Sequence, residues 1–210
     1  MSKMNLPNRL TVIRICLVPI ILVAGMLPAH GVWHYVSCVV CAALFIVASI
    51  TDMLDGKIAR RDNLITDFGK FLDPIADKFM VIGAMFVLLY KFDNLRLIMI
   101  FTLLIVVFRE LAVTSMRLVV STGQNIVIAA NYLGKLKTVS QIVAICTVLL
   151  EPVLQFVTKL IAEAVSKKTL VWRTDIVPLS WLTLAFCLVM TVWSGANYIL
   201  GYWKYLDPEK

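Results

Sequence analysis

The sequence predicts an all-α integral membrane protein with six transmembrane helices, folded as a single domain over residues 1–210. Three observations predict it. Hydrophobic residues make up 60% of the chain, against about 45–50% in soluble domains. The mean hydropathy is +0.89. Apolar runs long enough to cross a hydrocarbon core of about 30 Å recur along the whole sequence, with no repeat, low-complexity tract or long linker between them.

In order, the spans are predicted at 10–27, 32–54, 69–90, 95–120, 133–157 and 176–203. The first contains Arg14 and runs into Pro28-Ala29-His30, a poor cleavage site, which argues against a signal peptide. Ahead of it, Met1–Arg9 carries Pro7 and two basic residues, and reads as a short amphipathic piece on the inner surface. The second span holds Cys38 and Cys41. That is redox spacing, but inside an apolar run, so these cysteines read as small packing residues. His30 and His34 have no ligand cluster around them. The fourth span carries Arg109, Glu110 and Arg117 in its second half. The fifth is interrupted early by Lys135 and Lys137. Trp203 and Tyr205, at the end of the sixth, read as interface anchors.

With both termini inside, the inner side and inner halves of the spans hold fourteen of the twenty Lys and Arg residues. That asymmetry predicts a multi-pass protein of the cell (inner or plasma) membrane whose charged face looks into the cytoplasm. The net charge of +7 lies between apolar spans, which points to topology and phosphate-bearing ligands and away from nucleic acid. The basic outer segment 158–175 runs against the rule and has no assigned role.

The stretch DMLDGKIARRDNLITDFGKFLDPIAD, residues 52–77, holds six of the thirteen acidic residues. Asp52, Asp55, Gly56 and Ala59 have helical offsets of 0, 3, 4 and 7, so they share one helix face. Gly69, Asp73, Ala76 and Asp77, at offsets of 0, 4, 7 and 8, share another. Asp73 and Asp77 sit about 6 and 12 Å along the helix from Gly69. A hairpin turning around residues 61–68 is expected to bring the four aspartates together, with Pro74 in the first turn of its helix, where a missing N–H is harmless. Ionisable groups in a span cost free energy and usually mark function. Four clustered carboxylates repel one another, two divalent cations would neutralise them, and such a pair suits phosphoryl chemistry. The small residues leave room for a ligand or for another backbone. Asp62 and Asp67 read as solvating the loop.

Arg109, Arg117, Lys135 and Lys137 form a second charged group on the inner halves of spans four and five. Glu110 can pair with only one or so of them. A phosphate on a substrate would be a partner, and anchoring to anionic lipid is the other reading. Lys135 and Lys137 are two apart and point in different directions on a helix. Arg9 and Arg14 stay open between the same two roles.

Asp52, Asp55, Gly56, Ala59, Arg60, Gly69, Asp73 and Asp77 stand at the spacing D-x-x-D-G-x-x-A-R-(x)8-G-x-x-x-D-x-x-x-D. This resembles the CDP-alcohol phosphatidyltransferases, membrane enzymes of phospholipid synthesis with six transmembrane helices. NLPNRLTVIR (Asn5–Arg14), REL (Arg109–Leu111) with Arg117, and GKLKT (Gly134–Thr138) are similar to the bacterial branch that uses sn-glycerol 3-phosphate. The resemblance runs from residue 5 to about 150. It implies transfer of the phosphatidyl group from CDP-diacylglycerol to glycerol 3-phosphate, releasing CMP. It also implies Mg2+ or Mn2+, two ions on Asp52, Asp55, Asp73 and Asp77, with Asp77 as the base. Asp55, Gly56, Ala59, Arg60 and Gly69 would hold CDP-diacylglycerol, and Arg109, Arg117, Lys135 and Lys137 the glycerol phosphate. Membrane lipids and a second copy of the chain, as a homodimer, are the implied partners. Serine, inositol phosphate or phosphatidylglycerol as acceptor remains open at this point, as does a membrane cation transporter that uses the aspartates as its ion site.

Overall fold

The computed structural model describes residues 5–27, 30–61, 66–124, 132–166 and 177–203; the side chains at 59, 60, 70, 121–124 and 166 are outside the description. Six long helices appear: α1 (Leu6–Met26), α2 (Val32–Arg61), α3 (Asp67–Lys91), α4 (Arg96–Gln124), α5 (Tyr132–Ser166) and α6 (Pro178–Tyr202). A single 3-10 turn, Asp93–Leu95, links α3 to α4, and the described residues contain no strand. Each predicted span falls on one helix.

Five of the helices are long and apolar enough to cross a membrane. α3 is not among them, because Asp73, Asp77 and Lys78 crowd its first half. Its second half is nevertheless central: Met80, Ala84, Met85, Val87 and Leu88 are all buried. The outward faces carry Leu104, Phe108, Leu111, Leu182 and Leu200, each more than half exposed. A soluble protein does not expose apolar surface on that scale, whereas lipid chains cover it.

The helices close a ring in the order α1, α3, α4, α6, α5, α2, with α3 and α5 also meeting across it. α2 and α3 touch little, although they are consecutive. The expected hairpin is therefore replaced by a wedge, with α1 standing between the two aspartate helices. α1 lies close on α3 because Gly83 faces Val18, where a Cβ would come within 2.7 Å of the Val18 side chain. Phe45, Met85, Met99, Ile145 and Leu184 fill the middle. The cysteines are all free, and Cys38, Cys41 and Cys187 are buried in the packing.

Three local expectations change. Residues 6–9 belong to α1, so no separate surface piece precedes it from Leu6 onward. α5 runs unbroken through Lys135 and Lys137. Pro74 is inside α3, beyond its first turn, so the helix lacks one bond there.

α6 begins without a side-chain cap of its own. Glu151 of the neighbouring α5 supplies one. Its carboxylate accepts from the backbone N–H groups of Leu179 (3.1 Å) and Ser180 (2.6 Å) and from the Ser180 hydroxyl (2.5 Å). A buried carboxylate is satisfied this way, and the positive end of α6 favours its charge. Glu151→Ala is expected to destabilise the protein by about 2–3 kcal/mol, and Glu151→Gln by less. Thermal unfolding in detergent, read beside activity at low temperature, checks this: the midpoint falls while the cold activity is kept.

Candidate active site

The charged groups of the aspartate and basic clusters that the structure describes inside the ring lie at one end of the bundle, where α1, α3 and α5 begin and α2, α4 and α6 finish; Glu151, which caps the start of α6, lies toward the other end. α1 brings Asn8, Thr11 and Arg14, three residues apart and all buried. Asn8 bonds Thr66 (2.9 Å), whose hydroxyl oxygen caps α3 by accepting from the Gly69 N–H (3.0 Å). The Thr11 hydroxyl donates to Asp73 (2.8 Å). Arg14, fully buried, meets Asp52 at 2.7 Å, Asp77 at 3.2 Å, and Asp55 through its second terminal nitrogen. One α1 face thus binds all four aspartates, Asp73 through Thr11 and the rest through one guanidinium.

Asp55 is buried, whereas the side chains of Asp52 and Asp77 remain 38% and 51% exposed. A single Arg14 charge faces three carboxylates, so the cluster keeps a negative surplus on its open side. Among the described residues, no group of three His, Cys, Asp or Glu side chains surrounds one ion position. The donor set is all carboxylate oxygen and already converges on a cation, the Arg14 guanidinium. In donor type it suits a hard divalent cation.

Gly69 does not open onto ligand space. A Cβ there would stand 2.8 Å from Asn8 Oδ1, so its small size admits α1. Gly56 is half-buried on the aspartate side of α2. Ala59 and Arg60 are in α2, but their side chains lie outside the described residues, as does Asp62. Asp67 is exposed in the first turn of α3, where its charge suits the helix dipole.

Facing the aspartates across a cavity of about 490 Å³ are cations. The cavity is lined by Asp73, Asp77 and Lys78 on α3, by Arg109, Glu110, Thr114 and Arg117 on α4, and by Lys137, Thr138 and Gln141 on α5. Glu110 pairs with both Arg109 (3.1 Å) and Lys137. Arg109 also donates to Ser194 (2.7 Å), and Arg117 donates to the Tyr198 hydroxyl (2.7 Å). Both guanidinium groups lie within 5.6 Å of the Tyr198 ring centre, within cation–π range. Lys135 is exposed and does not line the cavity, as its two-residue offset from Lys137 on a helix requires.

Sequence reading placed the sixth span but missed what α6 brings to the site. Ser194 and Tyr198 stand four apart in the final apolar run and hold the two arginines in place; that polar pair at helical spacing was the available signal. Asn8, Thr11 and Arg14, each three residues apart, were a similar stripe.

Arg14→Met leaves three neighbouring carboxylates without their shared partner. Breaking a buried ion pair from one side costs about 3–5 kcal/mol. Thermal unfolding in metal-free buffer is expected to show a fall of that order for Arg14→Met and a smaller one for Arg14→Lys, which keeps the charge but loses the fork.

The family model of CDP-alcohol phosphatidyltransferase matches residues 4–193. A Bacillus subtilis protein named CDP-diacylglycerol–glycerol-3-phosphate 3-phosphatidyltransferase is 38% identical over 98% of this chain and 98% of its own length. One of the same name from Yersinia enterocolitica is 31% identical over 98% of this chain and its full length. Another, from Rickettsia felis, is 38% identical over 70% of this chain and 75% of its own.

Proposed function

The chain belongs to the CDP-alcohol phosphatidyltransferase family, and from that premise we propose that it transfers a phosphatidyl group from CDP-diacylglycerol to sn-glycerol 3-phosphate. The products are phosphatidylglycerophosphate and CMP. One observation carries the reading: a single cavity has Asp73 and Asp77 on one wall and Arg109, Arg117 and Lys137 on the other. A diphosphate held through cations suits the first wall. A second substrate with a free phosphate suits the other. An ion-transport reading gains nothing here, because the carboxylates gather at one end of the bundle and not in broken helices at its midplane.

Asp52, Asp55, Asp73 and Asp77 are the residues that would hold divalent metal, Mg2+ or Mn2+, as two ions. When bound there, such a cation supplies positive charge to the diphosphate and to the departing CMP. The chain's own residues do the rest. Arg14 holds the aspartates of α2 and α3 in one place, so they are oriented before substrate arrives. Asp77, half-exposed beside the cavity, takes the proton of the attacking hydroxyl. Arg109, Arg117 and Lys137 bind the acceptor phosphate by charge-assisted hydrogen bonds, while Ser194, Tyr198 and Glu110 fix their directions. Gly56, Ala59 and Arg60, on the same α2 segment as Asp55, accompany the cytidine diphosphate. Lys135, outside the cavity, and Gly69, packed on Asn8, have supporting places at most. The site faces the cytoplasm of the cell membrane, and the protein works as a homodimer among membrane lipids.

Purified enzyme in detergent, given CDP-diacylglycerol, divalent cation and a panel of glycerol 3-phosphate, free glycerol, serine, inositol phosphate and phosphatidylglycerol, tests the reading through CMP release. Glycerol 3-phosphate is expected to be the preferred acceptor; preference for another alcohol would remove it. Asp52→Asn and Asp73→Asn are expected to abolish turnover, since each keeps shape and removes one charge.

A separate outcome concerns the cation wall. Losing one charged partner of a phosphate costs roughly 1.5–3 kcal/mol, or about 10- to 150-fold. Arg117→Ala is therefore expected to raise the KM for glycerol 3-phosphate by about that factor and to leave the KM for CDP-diacylglycerol little changed. Initial rates with each substrate varied in turn decide it.

A further inference from the structure

Gln141 is 2% exposed and lines the cavity, yet its amide nitrogen Nε2 has no hydrogen-bond partner among the described residues. Buried polar groups are normally paired, and an orphan of this kind calls for an explanation. Gln141 sits four residues beyond Lys137 on the same face of α5, so it lies about 6 Å deeper along the helix. At that depth the cavity is otherwise walled by Val81, Ile82 and Val106. An unpaired amide in an apolar floor, on a side chain that lines the cavity beside the cation wall, calls for a ligand group.

The chemistry of the amide narrows what that ligand group is. A phosphate only accepts hydrogen bonds, and it already has Arg109, Arg117 and Lys137. A primary amide both donates and accepts, which matches an alcohol hydroxyl. A glycerol phosphate carries one hydroxyl that reacts and one, on its central carbon, that does not. We infer that Gln141 is a specificity-determining residue that hydrogen-bonds the central hydroxyl of the acceptor. This rests on the glycerol 3-phosphate reading above. A site built to pair a hydroxyl rejects the analogue lacking it, because the buried group is then left unpaired.

The test compares glycerol 3-phosphate with 3-hydroxypropyl phosphate, which keeps the phosphate and the terminal hydroxyl and lacks the central one. CMP release is measured at saturating CDP-diacylglycerol for the parent and for Gln141→Met, which keeps the length and removes the amide. The parent is expected to favour glycerol 3-phosphate in kcat/KM by about ten- to a hundredfold. Gln141→Met is expected to lose that factor on glycerol 3-phosphate alone, so its ratio falls toward one. An unchanged ratio in Gln141→Met, with both acceptors slowed together or neither slowed, overturns the assignment and leaves Gln141 a packing residue. The parent provides an arm that needs no variant to fold: equal use of the two acceptors also overturns the assignment. A parent that releases no CMP with glycerol 3-phosphate overturns the functional reading itself, and this inference with it.

Discussion

The contact on which the rest of the structure depends is the Arg14 guanidinium lodged between α2 and α3. Its fork reaches Asp52, Asp55 and Asp77 at once. Without it, three carboxylates would face one another in surroundings that screen charge poorly. With it, two helices that scarcely touch each other share one charged centre. The packing of α1 follows from this need. Thr11 on Asp73, Asn8 on the α3 cap, and glycines at the α1–α3 contact all serve to seat one helix where its arginine is required.

The opposite wall is organised on another plan. There the cations outnumber the anions, and neutral groups do much of the positioning. Ser194 and Tyr198 direct Arg109 and Arg117 without cancelling their charge. Glu110 pairs with Arg109 and Lys137, which leaves the wall cationic overall. One cavity therefore presents a field that changes sign across its width. Under the proposed function two phosphate-bearing substrates would meet there, and a divalent ion on the aspartate side would receive the one that faces the carboxylates.

Much of this was legible in the chain. The six apolar segments became six helices because period, length and charge gaps agreed. The aspartate faces could be drawn from spacing, since positions three and four apart must share a side of a helix. The ring order could not. Sequence adjacency suggested that α2 packs on α3, and only tertiary contacts place α1 between them. For the same reason Gly69 looked like ligand space when it is room for Asn8. Arg14 was ambiguous because an arginine near an apolar end serves equally well as an anchor. Ser194 and Tyr198 were overlooked because hydroxyls are common in apolar helices, and nothing local indicates an arginine eighty residues away. The proline in α3 showed that a helix held on several sides tolerates a break that a free one would not.

α3 is the one long helix whose charges keep it from qualifying as a membrane segment by itself. Its most extensive neighbour is α1, and there Thr11 and Arg14 meet Asp73 and Asp77. The place of α3 in lipid is therefore a property of the bundle and not of its own hydropathy: a neighbour's hydroxyl and guanidinium, not lipid, receive its carboxylates.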